Sequence, residues 1–228
     1  MSDSNTGQSA DAPLHNPHAL DSAQDPKETF EVMQPPPSAF DPHRDRPASA
    51  GTLSTRGHVH ENGLWHSSVH VWIVDPASSS VLLQRRSMSK DTFPGRWDIS
   101  SAGHVEAGSA SLEETARSEL AEELGIEVEA SELSLSFVIP AEQAPLGGCN
   151  AYEHVYFLVR EGWSEARSTR RFALGAAEVS EVSWTPAREL LLALRASDDG
   201  YAPRTGRYVD AMEEELTLIL GDSMGVAG

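Results

Sequence analysis

Three carboxylates, Glu119, Glu122 and Glu123, stand at i, i+3 and i+4 of the segment GHVEAGSASLEETARSELAEELGI, residues 103–126. At about 100° per residue a helix gathers such positions into one narrow arc. Negative charges held that close repel one another, and a hard divalent cation such as Mg²⁺ or Mn²⁺ relieves the repulsion through its preference for oxygen ligands. An acidic helix face is more often simply solvated. Here the helix is sharply delimited, so its carboxylates are rigidly placed. Ser111 and Glu114 form a capping-box pattern at the start, Leu112, Ala116, Leu120 and Leu124 supply a buried stripe, and Gly125 stands where a left-handed cap ends the helix.

The elements that must position this helix are short and mostly strands. ETFEVM (28–33), SVHVWIV (68–74), VLLQRR (81–86), RWDISSAG (96–103), LSLSFVIP (133–140), HVYFLV (154–159) and VSEVSW (179–184) are rich in β-branched and aromatic residues and bounded by turn residues. Thr185-Pro186 opens a helix through about Ala196, with proline at a favoured first position, and a last amphipathic helix runs from Arg207 to Leu220, stopped by Gly221. The pattern predicts an α/β domain with a mixed β-sheet over residues 28–222. Residues 1–27 are polar and predicted to be a disordered tail with no packing pattern, residues 34–56 a proline-rich insertion without strand or helical period, and residues 223–228 a flexible C-terminus.

Composition narrows the function. With 228 residues and 39% hydrophobic content the chain can build one real core, and its formal net charge of −18 argues against a nucleic-acid groove. Small phosphorylated molecules stay compatible, because a bound metal and a few local cations override the global field. Cys149 is alone, which excludes a disulfide framework within the chain and points to a reducing compartment; beside Gly147 and Gly148 it reads as an incidental loop residue. No apolar run is long enough to span a bilayer and the start MSDSNTGQSADAP lacks the apolar core of a signal peptide, so a cytoplasmic protein without membrane contact is expected. A homodimer is compatible with this composition.

The segment from Gly103 to Ile126 resembles the Nudix box, in which a glycine, a glutamate, an Arg-Glu pair and a Glu-Glu pair recur at fixed spacing. Gly103, Glu119, Leu120, Glu122, Glu123, Gly125 and Ile126 match. The resemblance implies an α/β/α sandwich and a metal held by the Gly103 carbonyl with Glu119, Glu122 and Glu123. The segment departs in being one residue longer, with Ser109 or Ala110 in place of the first glutamate and Ser118 in place of the arginine. In the family those two side chains brace each other beneath the loop. Arg117, one position away, is turned about 100° around the helix.

The stretches HENGLWHSSVHVWIV and LLQRRSMSKDTFPGRWDISSAGHVEAG further resemble the branch containing isopentenyl diphosphate isomerases and related hydrolases. That resemblance implies substrate-diphosphate contacts from Arg86 and Lys90, a fork and a mobile point charge respectively. Arg85, next along a strand, points the other way. It also implies a second metal site at His60, His66, His104 and Glu153, with Ala151 where a further carboxylate belongs. Ala102 occupies the position of the isomerases' catalytic cysteine, and a methyl group cannot exchange a proton. The expected activity is therefore metal-dependent pyrophosphohydrolysis of a diphosphate joined to an organic moiety, either a nucleoside diphosphate derivative or a prenyl diphosphate. Glu178 or Glu122 would serve as base. Trp65, Trp72, Phe93 and Trp97 could wall the organic part, with Trp97 the candidate substrate contact. The alternatives are an isopentenyl diphosphate isomerase and a non-catalytic module that binds a diphosphate ligand.

Overall fold

The computed structural model describes residues 14–22, 25, 27–146, 148–165 and 172–221. The chain forms β1 (Thr29–Met33), β2 (Ser49–Thr55), α1 (Arg56–Glu61), β3 (His66–Asp75), β4 (Ser80–Arg86), β5 (Trp97–Asp98) and β6 (Ser101–His104) before α2 (Leu112–Leu124). Then follow β7 (Leu135–Glu142), β8 (Asn150–Val159), β9 (Val179–Pro186), α3 (Ala187–Arg195) and α4 (Gly206–Leu220). Among the described residues the main sheet has seven strands in the order β5-β4-β3-β8-β7, with β6 also on β3 and β9 on β4. Among the strand pairs of the described residues only β3 and β8 run parallel, so the sheet is mixed as expected.

Period-two alternation on β3 divides two cores. Val69, Val71 and Ile73 pack under α2 with Leu120 and Leu124, while Trp72 and Val74 face Leu190, Leu191, Met212 and Leu216 of α3 and α4. The sheet is thus covered on both sides, an α/β/α sandwich. Both central strands are buried along nearly their whole length; their apolar runs are Val71–Val74 and Val155–Val159, while their first halves carry buried polar residues toward the site.

The capping signals are realised. Ser111 accepts from Glu114 N at 3.1 Å and Gly125 adopts φ 65°, while the Glu114 carboxylate turns to Arg117 at 2.9 Å instead of reaching back to the cap. Thr205 caps α4, accepting from Tyr208 N. Pro186 sits at the N-cap of α3 and not inside its first turn.

Three regions differ from expectation. RWDISSAG does not make one strand, because Ser100 turns inward, donating to Leu82 O and accepting from Ile73 N, and this splits the run into β5 on β4 and β6 on β3. The proline-rich insertion contains β2, which pairs antiparallel with β1 through the main chain while most of its side chains stay exposed. A ladder of that kind needs no apolar alternation. The polar tail does pack where it is described: Asn16 is buried, and its Nδ2 donates to the C-terminal carbonyls of Ala121 and Glu122, both at 2.9 Å. Ala121 O already accepts from Gly125 N, whereas Glu122 O is one of the carbonyls that a helix end leaves over, and a lone amide reaches both without any hydrophobic pattern. Residues 1–13 and 223–228 lie outside the described residues.

Candidate active site

α2 lies beneath β6 so that Glu119 meets Gly103 directly. A Cβ at Gly103 would fall 1.9 Å from Glu119 Oε1 and 2.1 Å from its carboxyl carbon, so the close approach requires glycine there. One turn on, Glu123 is 1% exposed; its Oε2 accepts from Gln84 Nε2 at 2.9 Å and Ala102 N at 3.0 Å, while buried Oε1 has no hydrogen-bond partner. Glu122, half buried, looks onto the same cavity.

Burial pushes the Glu119 carboxyl well above its ordinary range, and repulsion from Glu123, Glu178 and Glu122 adds to it. Glu123 rises to about 7, again chiefly by burial, with the Lys90 ammonium opposing. Glu122 is raised by burial and by Glu178 and Glu106. Such a set is electrostatically short of positive charge. Its oxygen donors and its crowding suit a hard divalent cation.

Lys90 supplies the nearest charge. Its Nζ donates to Glu178 and lies 3.7 Å from Glu123 Oε1, so a single ammonium bridges the helix and the loop before β9. That loop is docked by Gly175, whose N–H donates to Glu123 O and which lies so close that a Cβ would sit 2.4 Å from Glu122 O. Glu178 is thereby brought to the carboxylate cluster although it lies 55 positions along the chain from Glu123.

Arg86 lines the same cavity of about 630 Å³, but its fork is committed to Thr92 O at 2.8 Å, Thr92 Oγ1 at 3.0 Å and Asp98 at 3.1 Å. It shapes the 87–95 loop that carries Lys90. Arg85 points away, to Gly95 O and Glu181, as strand alternation requires. The same alternation corrects the expectation for Trp97: Asp98 faces the cavity, whereas Trp97 lies outside its lining, its ring beneath Arg85 and its backbone N–H donating to Gly200 O. Of the four candidate aromatics only Phe93 lines the cavity; Trp72 is core, its Nε1 donating to Tyr208, and Trp65 packs on Tyr152.

At the other end of the cavity Arg204, buried, pairs with Asp98 and approaches Glu153 at 3.8 Å. Neither Asp98 nor Arg204 stood out in the sequence. Asp98 is recoverable from its alternation with Trp97, but Arg204 lies in YAPRTG, which carries no pattern.

His60, His66 and His104 do come together, with ring centroids 5.0 to 5.4 Å apart. Glu153 does not join them. It is engaged by Gln143 at 3.2 Å and by Arg204, because β8 pairs with β3 so that Ala151 is level with His66 and Glu153 with Ser68, about 6.6 Å further along. Cys149, read from the sequence as incidental, stands in its place, with Sγ 3.9 Å from His104 Nε2.

The missing box brace has a different substitute. Ser109, Ala110 and Ser118 are exposed, and Arg117 donates to Val128 O at 2.7 Å beyond the helix. The loop is instead stitched to β1 and β3: Ala107 N donates to Thr29 O at 2.7 Å, Phe30 bridges Glu106, and Val105 N donates to Ser67 O.

A family model described as the NUDIX domain matches residues 64–205. The chain belongs to the Nudix family. Among its relatives it is 38% identical over 156 residues to Nudix hydrolase 3 of Arabidopsis thaliana, covering 67% of this chain and 20% of that protein, so it spans about a fifth of that relative's length. It is 31% identical over 164 residues to an isopentenyl-diphosphate Delta-isomerase of Jannaschia sp., covering 70% of this chain and 88% of that protein. The crystal structure of DR0079 from Deinococcus radiodurans superposes with a TM-score of 0.54 at 20% identity, over 82% of this chain and 98% of that one, and supports the fold.

Proposed function

We propose that this chain is a metal-dependent pyrophosphohydrolase that cleaves a diphosphate joined to an organic moiety. The observation that carries this reading is the convergence of Glu119, Glu122, Glu178 and Lys90 on one cavity, with buried Glu123 behind them 3.7 Å from Lys90 and Gly103 giving Glu119 the room it needs. Glu119, Glu122 and Glu123, with the Gly103 carbonyl, would hold Mg²⁺ or Mn²⁺, which the raised carboxyl pKa values and the unpartnered Glu123 Oε1 favour. When bound, the ion neutralises phosphate charge and lowers the pKa of a coordinated water.

The chain's own part is positioning. Lys90 is the cation for a diphosphate oxygen, released from Glu178 as substrate arrives, while Arg86 keeps the Lys90 loop in shape. Glu178, so uncovered, accepts the proton of the attacking water. The water oxygen bonds to phosphorus, the anhydride P–O bond breaks, and the electron pair leaves with the departing phosphate. Glu122 is the second candidate for that proton. Isomerisation is disfavoured because Ala102 offers a methyl group where a proton-exchanging cysteine would be needed and Ala151 one where a further metal-site carboxylate would be, both lining the cavity.

The test is a metal-titrated product assay over nucleoside diphosphate derivatives, dinucleoside polyphosphates and prenyl diphosphates, run with Glu123→Gln alongside. Hydrolysis that requires the metal and falls at least 100-fold in the variant, about 2.7 kcal/mol, is expected. Dimethylallyl diphosphate formed from isopentenyl diphosphate would establish the isomerase, binding without turnover a ligand-holding module, and unchanged kinetics in Glu123→Gln would remove α2 from the chemistry.

A further inference from the structure

Beside the acidic cluster lies a second group of donors with different chemistry. His60 comes from α1, His66 opens β3, His104 closes β6 and Cys149 immediately precedes β8. One ligand atom from each lies within 4.8 Å of the others. A tetrahedral zinc site with bonds of about 2.1 Å to nitrogen and 2.3 Å to sulfur has edges of roughly 3.5 Å, so small side-chain rotations close the set. His60 Nε2 and His66 Nε2 are both buried and have no hydrogen-bond partner, a costly arrangement for two polar atoms unless something else engages them. Phe30 stacks on His66 at 5.0 Å and an interplanar angle of 10°, and lies 4.9 Å from His104, screening the group.

We propose that Cys149 is the fourth ligand of a (His)₃Cys site for zinc, formed with His60, His66 and His104, and that the site is structural. A thiolate with three imidazoles is a soft donor set that selects zinc over magnesium or calcium. Four protein ligands leave no open position for a reacting water. The site instead ties α1, β3, β6 and the segment before β8 together, one residue from Gly103. On binding, the thiol proton of Cys149 leaves to solvent and the sulfur pair forms the metal bond. His104 must also change tautomer: Arg56 Nη1 donates to its Nδ1 at 3.1 Å, which puts the ring proton on Nε2 facing the cysteine. Arg56 has an alternative in Glu28, already 2.6 Å away, and would move wholly onto it. His104 and Cys149 reach the same cavity as Glu119 and Glu122, but the four donors share no residue with the carboxylate cluster.

The test uses the full chain, stripped with a chelator and reloaded with Co²⁺ or Zn²⁺ alone. Tetrahedral Co²⁺ absorption with a thiolate-to-cobalt charge-transfer band in the near ultraviolet is expected, with zinc protecting the fold against thermal unfolding. Cys149→Ser should abolish the band and weaken zinc by more than the 10- to 100-fold that loss of even an outer-shell partner causes. Cys149→Asp should recover metal binding without the band, which separates lost ligation from a damaged fold, and Glu153→Gln should leave spectrum and zinc content unchanged. A cobalt spectrum without the thiolate band, zinc content indifferent to Cys149→Ser, or loss of metal in Glu153→Gln would overturn the assignment. Each outcome is read from metal and spectrum, so failure here is distinguishable from failure of the hydrolase reading.

Discussion

Replacing Gly103 by alanine isolates the geometry on which the proposed chemistry depends. The new methyl would lie 1.9 Å from Glu119 Oε1, whereas ordinary contact begins near 3.4 Å, and Gly103 is not among the glycines of positive φ, so the backbone accepts alanine without strain. The displaced group is the far end of a flexible side chain. It must retreat by about 1.5 Å, while the helix that carries it is held by Leu120 and Leu124 in the core. Overpacking of this kind costs about 1–3 kcal/mol of stability. A misplacement of about 1 Å at a reacting centre costs about 100-fold in rate, or about 2.7 kcal/mol. Initial rates across a Mg²⁺ titration, with thermal melts on the same preparation, should show turnover down by at least that factor, weaker apparent metal affinity and one cooperative unfolding transition. Pairing it with Glu119→Asp, one methylene shorter, should recover part of the loss. Wild-type turnover in Gly103→Ala would mean that Glu119 is not held where a metal needs it.

Two further perturbations concern stability. Asn16→Ala removes both bonds to the end of α2 and should cost about 1–2 kcal/mol in urea unfolding; an unchanged midpoint would mean that the tail is not docked. Burial pushes the Asp75 carboxyl up, but donors from Ser164, Gly162 and Ala77 outweigh it and hold it below its usual value. Its folded pKa being depressed, Asp75 contributes stability above the unfolded value of about 3.9, and that contribution is lost as pH falls through the folded value. Asp75→Asn should therefore be less stable at neutral pH and show a flatter decline below about pH 4, and identical acid slopes would refute the sign.

Much of the fold was legible because its elements carry local signals. The 3.6-residue stripe and caps of α2 and the apolar runs of β3 and β8 each decide a structure within their own window. Signals that are satisfied at a distance were not legible. Ser100 splits a strand through bonds to β4 and β3, and Asn16 docks on a helix more than a hundred residues away. β2 is held by main-chain pairing with β1, to which its side-chain types contribute little.

The site divides along the same line. Glu119, Glu122 and Glu123 share one helix, so their spacing alone brings them together, and the extra residue in the preceding loop leaves that spacing intact. Lys90 and Glu178 needed a resemblance to be found, since what joins them is the contact itself, made possible where Gly175 rests on the last turn of α2. Cys149, and not Glu153, lies beside the histidines for a reason of register. A side chain two places along β8 is carried about 6.6 Å past the histidines, and the residue just before the strand swings its sulfur back toward them. Ligand sets contributed by separate strands are decided by pairing offsets of that size, which residue types alone do not encode.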